Sequence, residues 1–344
     1  MKMNTITERQ KKILSLIIHE YIRSAEPVGS KYLVDKYGMK LSSATIRNEM
    51  VALTDEGLLR QPHTSAGRVP TEEGYRYFVG QLMRETSIPE PLRYTINHQF
   101  SQMRSDVKQW MRLAASILAS QTHAASLITA PQPDEVRLKH LELISTHGRQ
   151  VLAVLVLEGG QINQHILTLD EPTTQEQLSI ISNKFTQRFT GNGISKISPA
   201  QETMTALEST VLAWIEDEIV RSERLPTGEI YMDGITNMLT EPEFADSEEA
   251  RRALRLLDER SALQDLLAKT ILPDSIGGVQ VLIGGESSWN DLQQCSVILS
   301  KYGSPGVATG TLGILGPMRM SYGHSISMVR FLSGILSGFI AENW

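Results

Sequence analysis

Apolar residues recur at helical spacing in the first part of the chain and predict a helix with one buried face. Thr5 or Thr7 can cap this helix, and Thr7 with Gln10 has the spacing of a capping box. The helix is expected to end near Ser24, because Pro27 disfavours helical backbone at the residue before it. Its apolar stripe contains Ile13, Leu14, Ile17, Ile18 and Tyr21.

Two further helices are predicted before residue 58. The first is short, at about residues 30–37, and Gly38 ends it. The second begins after the capping residue Ser42 and ends at Gly57. The spacing of its apolar residues predicts that one face is buried in the core. This buried face consists of Ile46, Met50 and Leu53.

The opposite side of the third helix is polar. A rotation of about 100° per residue puts Ala44 and Asn48 opposite the apolar positions, with Thr45 and Arg47 beside them. Arg can form two hydrogen bonds with guanine, Asn can do the same with adenine, and small methyl groups can contact thymine. Two helices joined by a short turn, with a polar second helix, form the geometry that enters the DNA major groove. The predicted base contacts are Ala44, Thr45, Arg47 and Asn48.

A small hairpin is predicted directly after this helix. Residues 58–62 and 68–70 are strand-like, and residues 63–67 form a polar turn between them. Beside a helix in the major groove, such a hairpin would be a wing that contacts phosphate, as would the helix N-terminus. The predicted backbone and wing contacts are Ser42, Ser43, Arg60, His63, Thr64, Ser65 and Arg68. The same pattern also fits a three-helix unit in which Arg47 is only a solvated surface residue.

Composition indicates a compartment and an uneven distribution of charge. The length of 344 residues suggests two or three domains. The single cysteine, Cys295, excludes an internal disulfide and favours a reducing cytoplasm. Residues 1–88 contain 13 Lys and Arg against 10 Asp and Glu, whereas the whole chain has a net charge of −6. A mildly basic N-terminal part on an acidic body suits a polyanionic partner.

The rest of the chain is expected to contain helices and two groups of strands. One buried helix is predicted across residues 111–128. Three strand-like runs between residues 138 and 168 predict an antiparallel meander, and three more lie between residues 279 and 317. Helical patterns occupy most of the segment between the two groups. This order predicts one sheet that carries a mostly helical insertion.

Two apolar stripes could either pack inside the chain or contact a second copy or a membrane. Twofold pairing is expected, because one recognition helix covers only a few base pairs of an operator. In the insertion, Leu212, Trp214 and Ile215 form either an apolar seam for a second copy or part of the intramolecular core. The last stripe predicts a packed terminal helix rather than a membrane anchor, and no secretory signal is expected at the beginning of the chain. It contains Val329, Leu332, Leu336, Phe339 and Ile340.

Catalytic and ligand-binding patterns are weak. Gly310, Gly313 and Gly316 have a G-x-x-G-x-x-G spacing, but they lie in a strand-like run, so turns or close packing are expected instead of a phosphate loop. The histidines and Cys295 have no metal-binding spacing. A nucleophilic pair of Cys295 and His324 is disfavoured, because the cysteine lies in a buried strand-like run. No enzymatic activity, metal or cofactor is expected.

Three stretches carry a family likeness. They are residues 42–50 (SSATIRNEM), residues 56–78 (EGLLRQPHTSAGRVPTEEGYRYF) and residues 313–326 (GILGPMRMSYGHSI). Together they resemble the heat-inducible transcription repressor HrcA family, and further similar patterns extend the likeness over nearly the whole chain.

The resemblance implies an α+β, multidomain fold with an N-terminal winged helix-turn-helix, a GAF-like α+β domain and an inserted, mostly helical dimerisation domain. The expected bounds are residues 1–88, residues 89–170 with 276–344, and residues 171–275. It also implies a dimeric, cytoplasmic repressor of chaperone operons that binds an inverted-repeat operator, CIRCE. The GroE chaperonin would keep this repressor active until heat stress. The alternative is a ligand-sensing GAF-like regulator whose winged helix contacts protein.

Overall fold

The fold is taken from a computed structural model of the chain. It describes residues 6–63, 66–83, 86–103, 106–133, 136–158, 161–191, 204–224, 229–244, 248–270, 272, 275–284 and 292–343. Helices and three antiparallel sheets together form a mixed α+β architecture, as predicted.

The helices are α1 (Glu8–Ser24), α2 (Ser30–Tyr37), α3 (Ser43–Asp55), α4 (Glu72–Tyr77), α5 (Glu90–Ser101), α6 (Val107–Thr122), α7 (Gln175–Phe189), α8 (Ala206–Arg224), α9 (Ile235–Leu239), α10 (Glu248–Asp258), α11 (Arg260–Lys269) and α12 (Tyr322–Asn343). A π-helical turn, Phe78–Leu82, continues α4, and a 3-10 turn spans Pro242–Phe244.

The strands are β1 (Leu59–Arg60), β2 (Val69–Pro70), β3 (Ala125–Thr129), β4 (Gln132–Pro133), β5 (Leu138–Ser145), β6 (Gln150–Leu157), β7 (Ile162–Thr168), β8 (Ile230–Asp233), β9 (Val279–Ile283), β10 (Cys295–Ser304) and β11 (Ala308–Pro317).

Residues 6–83 form four helices and a hairpin, which we call the helix–hairpin unit. The capping box of Thr7 and Gln10 is present, and α1 ends at Ser24, so both predictions are confirmed. The Ser42 hydroxyl accepts a hydrogen bond from the Thr45 amide and caps α3. Gly57, with φ of 75°, follows the end of α3 in the left-handed region that glycine favours. The chain can therefore turn at once into β1.

The main sheet has the order β8-β3-β11-β10-β9, with β4 paired to β11, and all its neighbouring strands are antiparallel. Helices α6 and α12 pack on this sheet. One helix in the described part of the chain, Tyr322–Glu342, has the length and hydropathy to cross a membrane. Its residues Val329, Leu332 and Leu336 are fully buried, which confirms the predicted packed terminal helix.

The prediction of one helix across residues 111–128 is wrong. Helix α6 ends at Thr122, and His123 adopts a left-handed conformation with φ of 52°. Residues Ala125–Thr129 then form β3, which lies between β8 and β11 in the main sheet. A short run of buried apolar residues fits a helix and a central strand equally well, and only the pairing partners of β3 distinguish the two.

The three strands β5, β6 and β7 form the predicted antiparallel meander, but they do not belong to the main sheet. The prediction of a single sheet is therefore wrong. These strands share a separate apolar core with α7 and α8, and we call this group the three-stranded unit. Leu212 and Ile215 of α8 are fully buried in its core, and Trp214 packs against it. These three residues belong to the intramolecular core instead of a seam for a second copy.

Close packing accounts for the glycines of β11, as predicted. A Cβ atom on Gly310 would lie 2.6 Å from the ring of Tyr302, and one on Gly313 would lie 2.2 Å from the carbonyl of Ile298. Tyr302 is fully buried, and its hydroxyl donates a hydrogen bond of 2.6 Å to the Thr129 carbonyl. The ring has no free space into which it can move.

We predict that Gly310→Ala destabilises the protein by about 1–3 kcal/mol, because the added methyl group displaces the buried Tyr302 ring. Gly334→Ala is the matched control, since no atom lies within 4 Å of its added Cβ and alanine favours helix α12. The control should unfold at the same or a higher urea concentration than the wild type. A Gly310→Ala protein with wild-type stability would contradict this packing.

Candidate nucleic-acid interface

Helices α2 and α3 meet at their N-terminal ends. The hydroxyl groups of Ser30 and Ser43 lie 3.0 Å apart, within hydrogen-bonding distance. Gly29 precedes α2 and provides no side-chain cap for it. The first amide groups of a helix have no intrahelical partner and carry a partial positive charge, so they favour a nearby anion.

The face of α3 away from the core is open to solvent. Ala44, Arg47 and Asn48 are exposed, whereas Ile46 and Met50 on the opposite side are buried. Among the described residues, the side chains of Arg47 and Asn48 have no hydrogen-bond partner. Both groups are therefore available to a ligand. The Thr45 hydroxyl differs, because it lies 2.9 Å from the Ser42 hydroxyl within the cap.

A groove of about 470 Å³ runs between the beginnings of α2 and α3. The sequence pattern predicted the residues of α3 along this groove but not those of α2. The α2 residues were missed because the glycine and serine at the start of α2 indicated only a turn. Seven residues line the groove: Gly29, Ser30, Lys31, Ser43, Ala44, Arg47 and Asn48.

One buried carboxylate holds α2 against α1. Glu20 is only 3% exposed and accepts hydrogen bonds from the Tyr32 hydroxyl (2.6 Å), the Lys36 ammonium (2.6 Å) and the Tyr37 hydroxyl (2.5 Å). Burial by itself raises the pKa of Glu20, but the hydrogen bonds from Lys36, Tyr32 and Tyr37 outweigh it and lower the pKa to about 2. The charged form of Glu20 thus fixes the whole length of α2.

A second polar contact joins α1 to α3. Glu49 accepts hydrogen bonds from Arg9 (3.2 Å) and Gln10 (3.0 Å) at the beginning of α1. Glu49 is one residue beyond Asn48 but points toward α1. These contacts fix the rotation of α3 about its own axis and keep the opposite face free.

The hairpin is joined to the turn between α1 and α2. The backbones of Val28 and Arg68 exchange two hydrogen bonds of 2.9 Å. A Cβ atom on Gly67 would lie 2.4 Å from the Val28 carbonyl, so only glycine fits this approach. The guanidinium of Arg68 donates through Nε to the Thr54 hydroxyl at 3.0 Å. Arg68 therefore connects the hairpin to α3, which the sequence did not indicate.

The other predicted hairpin residues lie apart from the groove of α2 and α3. Arg60 is exposed and lines a different cavity together with Tyr21 and Arg319. His63 is exposed near the tip of the hairpin. Thr64 and Ser65 lie outside the described residues.

Cys295 lacks the properties of an activated nucleophile. Its side chain is buried in β10, and burial raises the pKa of the thiol to about 12. A reactive cysteine needs the thiolate form, which requires a lowered pKa and an accessible sulfur. The second member of the suggested pair, His324, places its Nε2 atom 3.1 Å from the carbonyl of Gln121.

The fold and this interface define a class of protein, an α+β chain that exposes the polar side of a capped helix next to a hairpin. A family model described as the HrcA protein C-terminal domain matches residues 108–326. The chain belongs to the heat-inducible transcription repressor HrcA family.

Curated relatives extend this match to nearly the whole chain. The heat-inducible transcription repressor HrcA of Roseiflexus castenholzii is 42% identical over 98% of this chain and 95% of its own length. The protein of the same name from Herpetosiphon aurantiacus is 40% identical over 98% of this chain and 96% of its own. A crystal structure of a hypothetical protein at 2.2 Å resolution covers 98% of both chains with a TM-score of 0.58. At 22% identity it shows similarity of fold alone.

We predict that Glu20→Gln lowers the free energy of unfolding at pH 7 by about 2–3 kcal/mol, because a neutral amide loses the charge-assisted hydrogen bonds to α2. The pKa of Glu20 is about 2 in the folded state against an ordinary value of 4.5. Its contribution is therefore complete above pH 4.5 and disappears as the pH falls toward 2.

Urea unfolding of both proteins as a function of pH measures this difference. The difference in free energy of unfolding between the wild type and Glu20→Gln should decrease as the pH falls from 4.5 toward 2. The control is Glu26→Gln, which changes an exposed residue in the turn after α1. A gap that stays constant over the acidic range would show that the charge of Glu20 does not hold α2.

Proposed function

We propose that this chain is a sequence-specific DNA-binding repressor of heat-shock chaperone operons and acts in the cytoplasm without a membrane partner. In this proposal the helix–hairpin unit is a winged helix-turn-helix, α3 is its recognition helix, and β1 and β2 form the wing. The observation that carries the proposal is the exposure of Arg47 and Asn48 at the groove between α2 and α3, where neither side chain has a hydrogen-bond partner among the described residues.

The base-reading chemistry follows from the order of side chains on α3. Arg47 can donate two hydrogen bonds to O6 and N7 of guanine, and Asn48 can pair with N6 and N7 of adenine. Ala44 lies one turn before Asn48, where its methyl group can contact a thymine methyl. Thr45 is proposed to contact the neighbouring base through its methyl group, because its hydroxyl belongs to the cap of α3.

Phosphate contacts are proposed on both sides of the recognition helix. Ser42 and Ser43 lie at the N-terminus of α3, and we add Ser30 and Lys31 at the N-terminus of α2. Phosphate contacts fix register and orientation, and they bring no sequence information directly. The proposed wing contacts remain Arg60, His63, Thr64, Ser65 and Arg68, with Arg68 using the part of its guanidinium that does not contact Thr54.

We further propose that the repressor is a homodimer and that the three-stranded unit is its dimerisation domain. One face of this sheet is covered by α7 and α8. On the other face Ile144, Ile162 and Ile166 are 41%, 64% and 55% exposed. A sheet face in contact with water normally has polar residues at alternate positions, so exposed isoleucines indicate a surface that binds protein.

Cross-strand pairing groups apolar residues in two rows of this face, and in the row between them Val154 is flanked by Glu142 and Gln164. Leu152 lies between Ile144 and Ile166, and Val156 pairs with Ile162. No described residue covers this face of the sheet. A twofold dimer needs one self-complementary patch, and a flat row of aliphatic residues meets that requirement. His140 and Glu142, whose Nε2 and Oε2 atoms lie 3.4 Å apart, belong to the edge strand β5 on this face.

The separate sheets change the proposed domain bounds. We place the inserted dimerisation domain at about residues 136–224, because β5, β6 and β7 share a core with α7 and α8. The GAF-like domain would then contain residues 89–133 and 229–343, since β8 pairs with β3 in the main sheet. The winged helix retains its proposed bounds of residues 1–88.

Family membership and the sequence resemblance support the operator and the control mechanism. We propose that the dimer binds the CIRCE inverted repeat and that the GroE chaperonin keeps the repressor active. Heat stress would then relieve repression, because unfolded proteins occupy the chaperonin. Operator binding by the purified chain, measured before and after a heat pulse with and without chaperonin, tests this step. Equal recovery in both samples would remove the chaperonin from the mechanism.

We predict different effects for Arg47→Ala and Lys31→Ala. Loss of Arg47 should cost about 1–3 kcal/mol on the operator and relax one base preference, because its contact reads a base edge. Loss of Lys31 should weaken binding to every sequence to a similar extent and lower the salt slope by about one unit, because its contact is with phosphate. Fluorescence anisotropy with operator and scrambled duplexes at several salt concentrations measures both effects.

The exposed residue Asp35, which lies on α2 outside the groove, provides a control as Asp35→Asn. This change should preserve the preference for the operator over the scrambled duplex. If Arg47→Ala and Lys31→Ala weakened both duplexes equally, the assignment of Arg47 to base reading would be rejected.

We predict that Ile166→Glu converts the dimer to a monomer, because a charge would be buried in an apolar interface. Ala213→Glu is the control, since Ala213 is exposed on α8 next to the half-buried Trp214. Sedimentation equilibrium of the full chain measures the mass of both variants. A monomeric Ala213→Glu protein beside a dimeric Ile166→Glu protein would move the interface from the sheet to α8.

A further inference from the structure

Two arginine side chains form hydrogen bonds across the boundary between the helix–hairpin unit and the main sheet. One arginine belongs to each of the two parts. Arg319, which follows β11, donates through Nη1 to the carbonyl of Ile22 in α1 at 2.9 Å. Arg76, which belongs to α4, donates through Nη2 to the carbonyl of Ile283 in β9 at 2.7 Å. The unit is therefore held at two separate points.

Arg319 contacts a group that has no partner in its own helix. Ile22 lies in the last turn of α1, where carbonyl groups lack an intrahelical donor and carry partial negative charge. The second nitrogen of the same guanidinium, Nη2, donates to the carboxylate of Glu241, just after α9. The Arg319 side chain is only 12% exposed, so both charge-assisted hydrogen bonds are shielded from water.

Hydrogen bonds to its own helix also fix the orientation of the Arg76 guanidinium. Glu73 and Glu72 on its own helix accept hydrogen bonds from its Nη1 and Nη2 atoms at 2.5 and 3.3 Å. Gly284 follows β9, and a Cβ atom there would lie 2.5 Å from Glu72. The side chain of Glu72 on α4 thus packs directly against the backbone at the end of β9.

The space between the two arginines is not filled by side chains. A cavity of about 430 Å³ lies there, lined by Arg76 and Arg319 and by residues of both parts, including Arg60 and Gln294. Apolar packing does continue across the boundary, for example between the rings of Tyr75 and Tyr322 at 5.9 Å. Hydrophobic packing is non-directional, however, whereas a pair of oriented hydrogen bonds defines an angle.

We propose that Arg319 and Arg76 are positioning residues for operator recognition, which set the angle between the helix–hairpin unit and the rest of the chain. This inference rests on the proposed function as a dimeric DNA-binding repressor. Neither arginine needs to contact DNA. The angle of each unit sets the separation of the two recognition helices in the dimer, and this separation must match the spacing of the two half-sites.

The spacing of half-sites provides a direct readout. One base pair of added spacer moves the half-sites by about 3.4 Å and rotates one relative to the other. A rigidly held pair of recognition helices should therefore bind only the natural spacing tightly. If the helix–hairpin units are held less rigidly, the two recognition helices can also bind half-sites at an altered spacing. Simultaneous binding then contributes less affinity, because the effective concentration of the second unit falls.

The test uses the full chain and three kinds of duplex: the CIRCE inverted repeat, the same repeat with its spacer lengthened by one or two base pairs, and a single half-site. For Arg319→Ala we expect wild-type affinity for the half-site. The ratio of affinities for the natural and the lengthened spacers should fall about tenfold. Arg319→Lys retains a donor and should recover part of the ratio, and Glu241→Gln should lower it less than Arg319→Ala does.

Arg330→Ala is the matched control, because Arg330 donates to the Gly277 carbonyl within the main sheet and its helix instead of across the boundary. For this variant, the ratio of affinities for the natural and the lengthened spacers should equal that of the wild type. Unchanged ratios for both Arg319→Ala and Glu241→Gln would overturn the proposal, as would a loss of half-site affinity equal to the loss on the full operator. Failure of the wild type to bind the full operator would instead reject the proposed function.

Discussion

The position of α2 beside the exposed helix α3 depends on one buried carboxylate in α1. Glu20 is surrounded by two tyrosine hydroxyls and one ammonium from α2, and these groups outweigh the cost of burying its charge. Since α2 is only eight residues long, its own backbone hydrogen bonds contribute little stability. Without the contacts to Glu20, the start of α2 would not be held beside the start of α3, and the groove between them would lose its shape.

Polar contacts also fix the other elements of this part of the chain. Glu49 and the Val28–Arg68 backbone pair fix α3 and the hairpin, while Arg76 and Arg319 fix the whole unit on the main sheet. These contacts combine paired backbone groups with side chains that donate to a backbone carbonyl or to a carboxylate. In the proposed dimer, directional contacts of this kind would set the relative placement of the two recognition helices. The exposed sheet face of the three-stranded unit is the surface on which we propose that two copies meet.

Local signals predicted the helix–hairpin unit well. The capping residues Thr7 and Ser42 and the turn glycine Gly57 act within a few residues, so the sequence alone reveals them. Long-range pairing was harder to predict. The apolar residues of β3 fit the end of α6 equally well, and nothing local indicates that β5, β6 and β7 form a sheet of their own. Lys31 was missed for the same reason, since its place beside Arg47 depends on how α2 and α3 cross in space.

The central claim is that the polar side of α3 lies in the major groove of the operator. Val51 is 41% exposed one turn beyond Arg47, so a photo-crosslinking amino acid there reports on the same face without removing a proposed contact. Irradiation of the complex should attach this residue to a base within a half-site, and the same group at Ala213 on α8 should give no DNA adduct. An adduct from α8 but none from α3, in a complex that still prefers the operator over a scrambled duplex, would contradict the account.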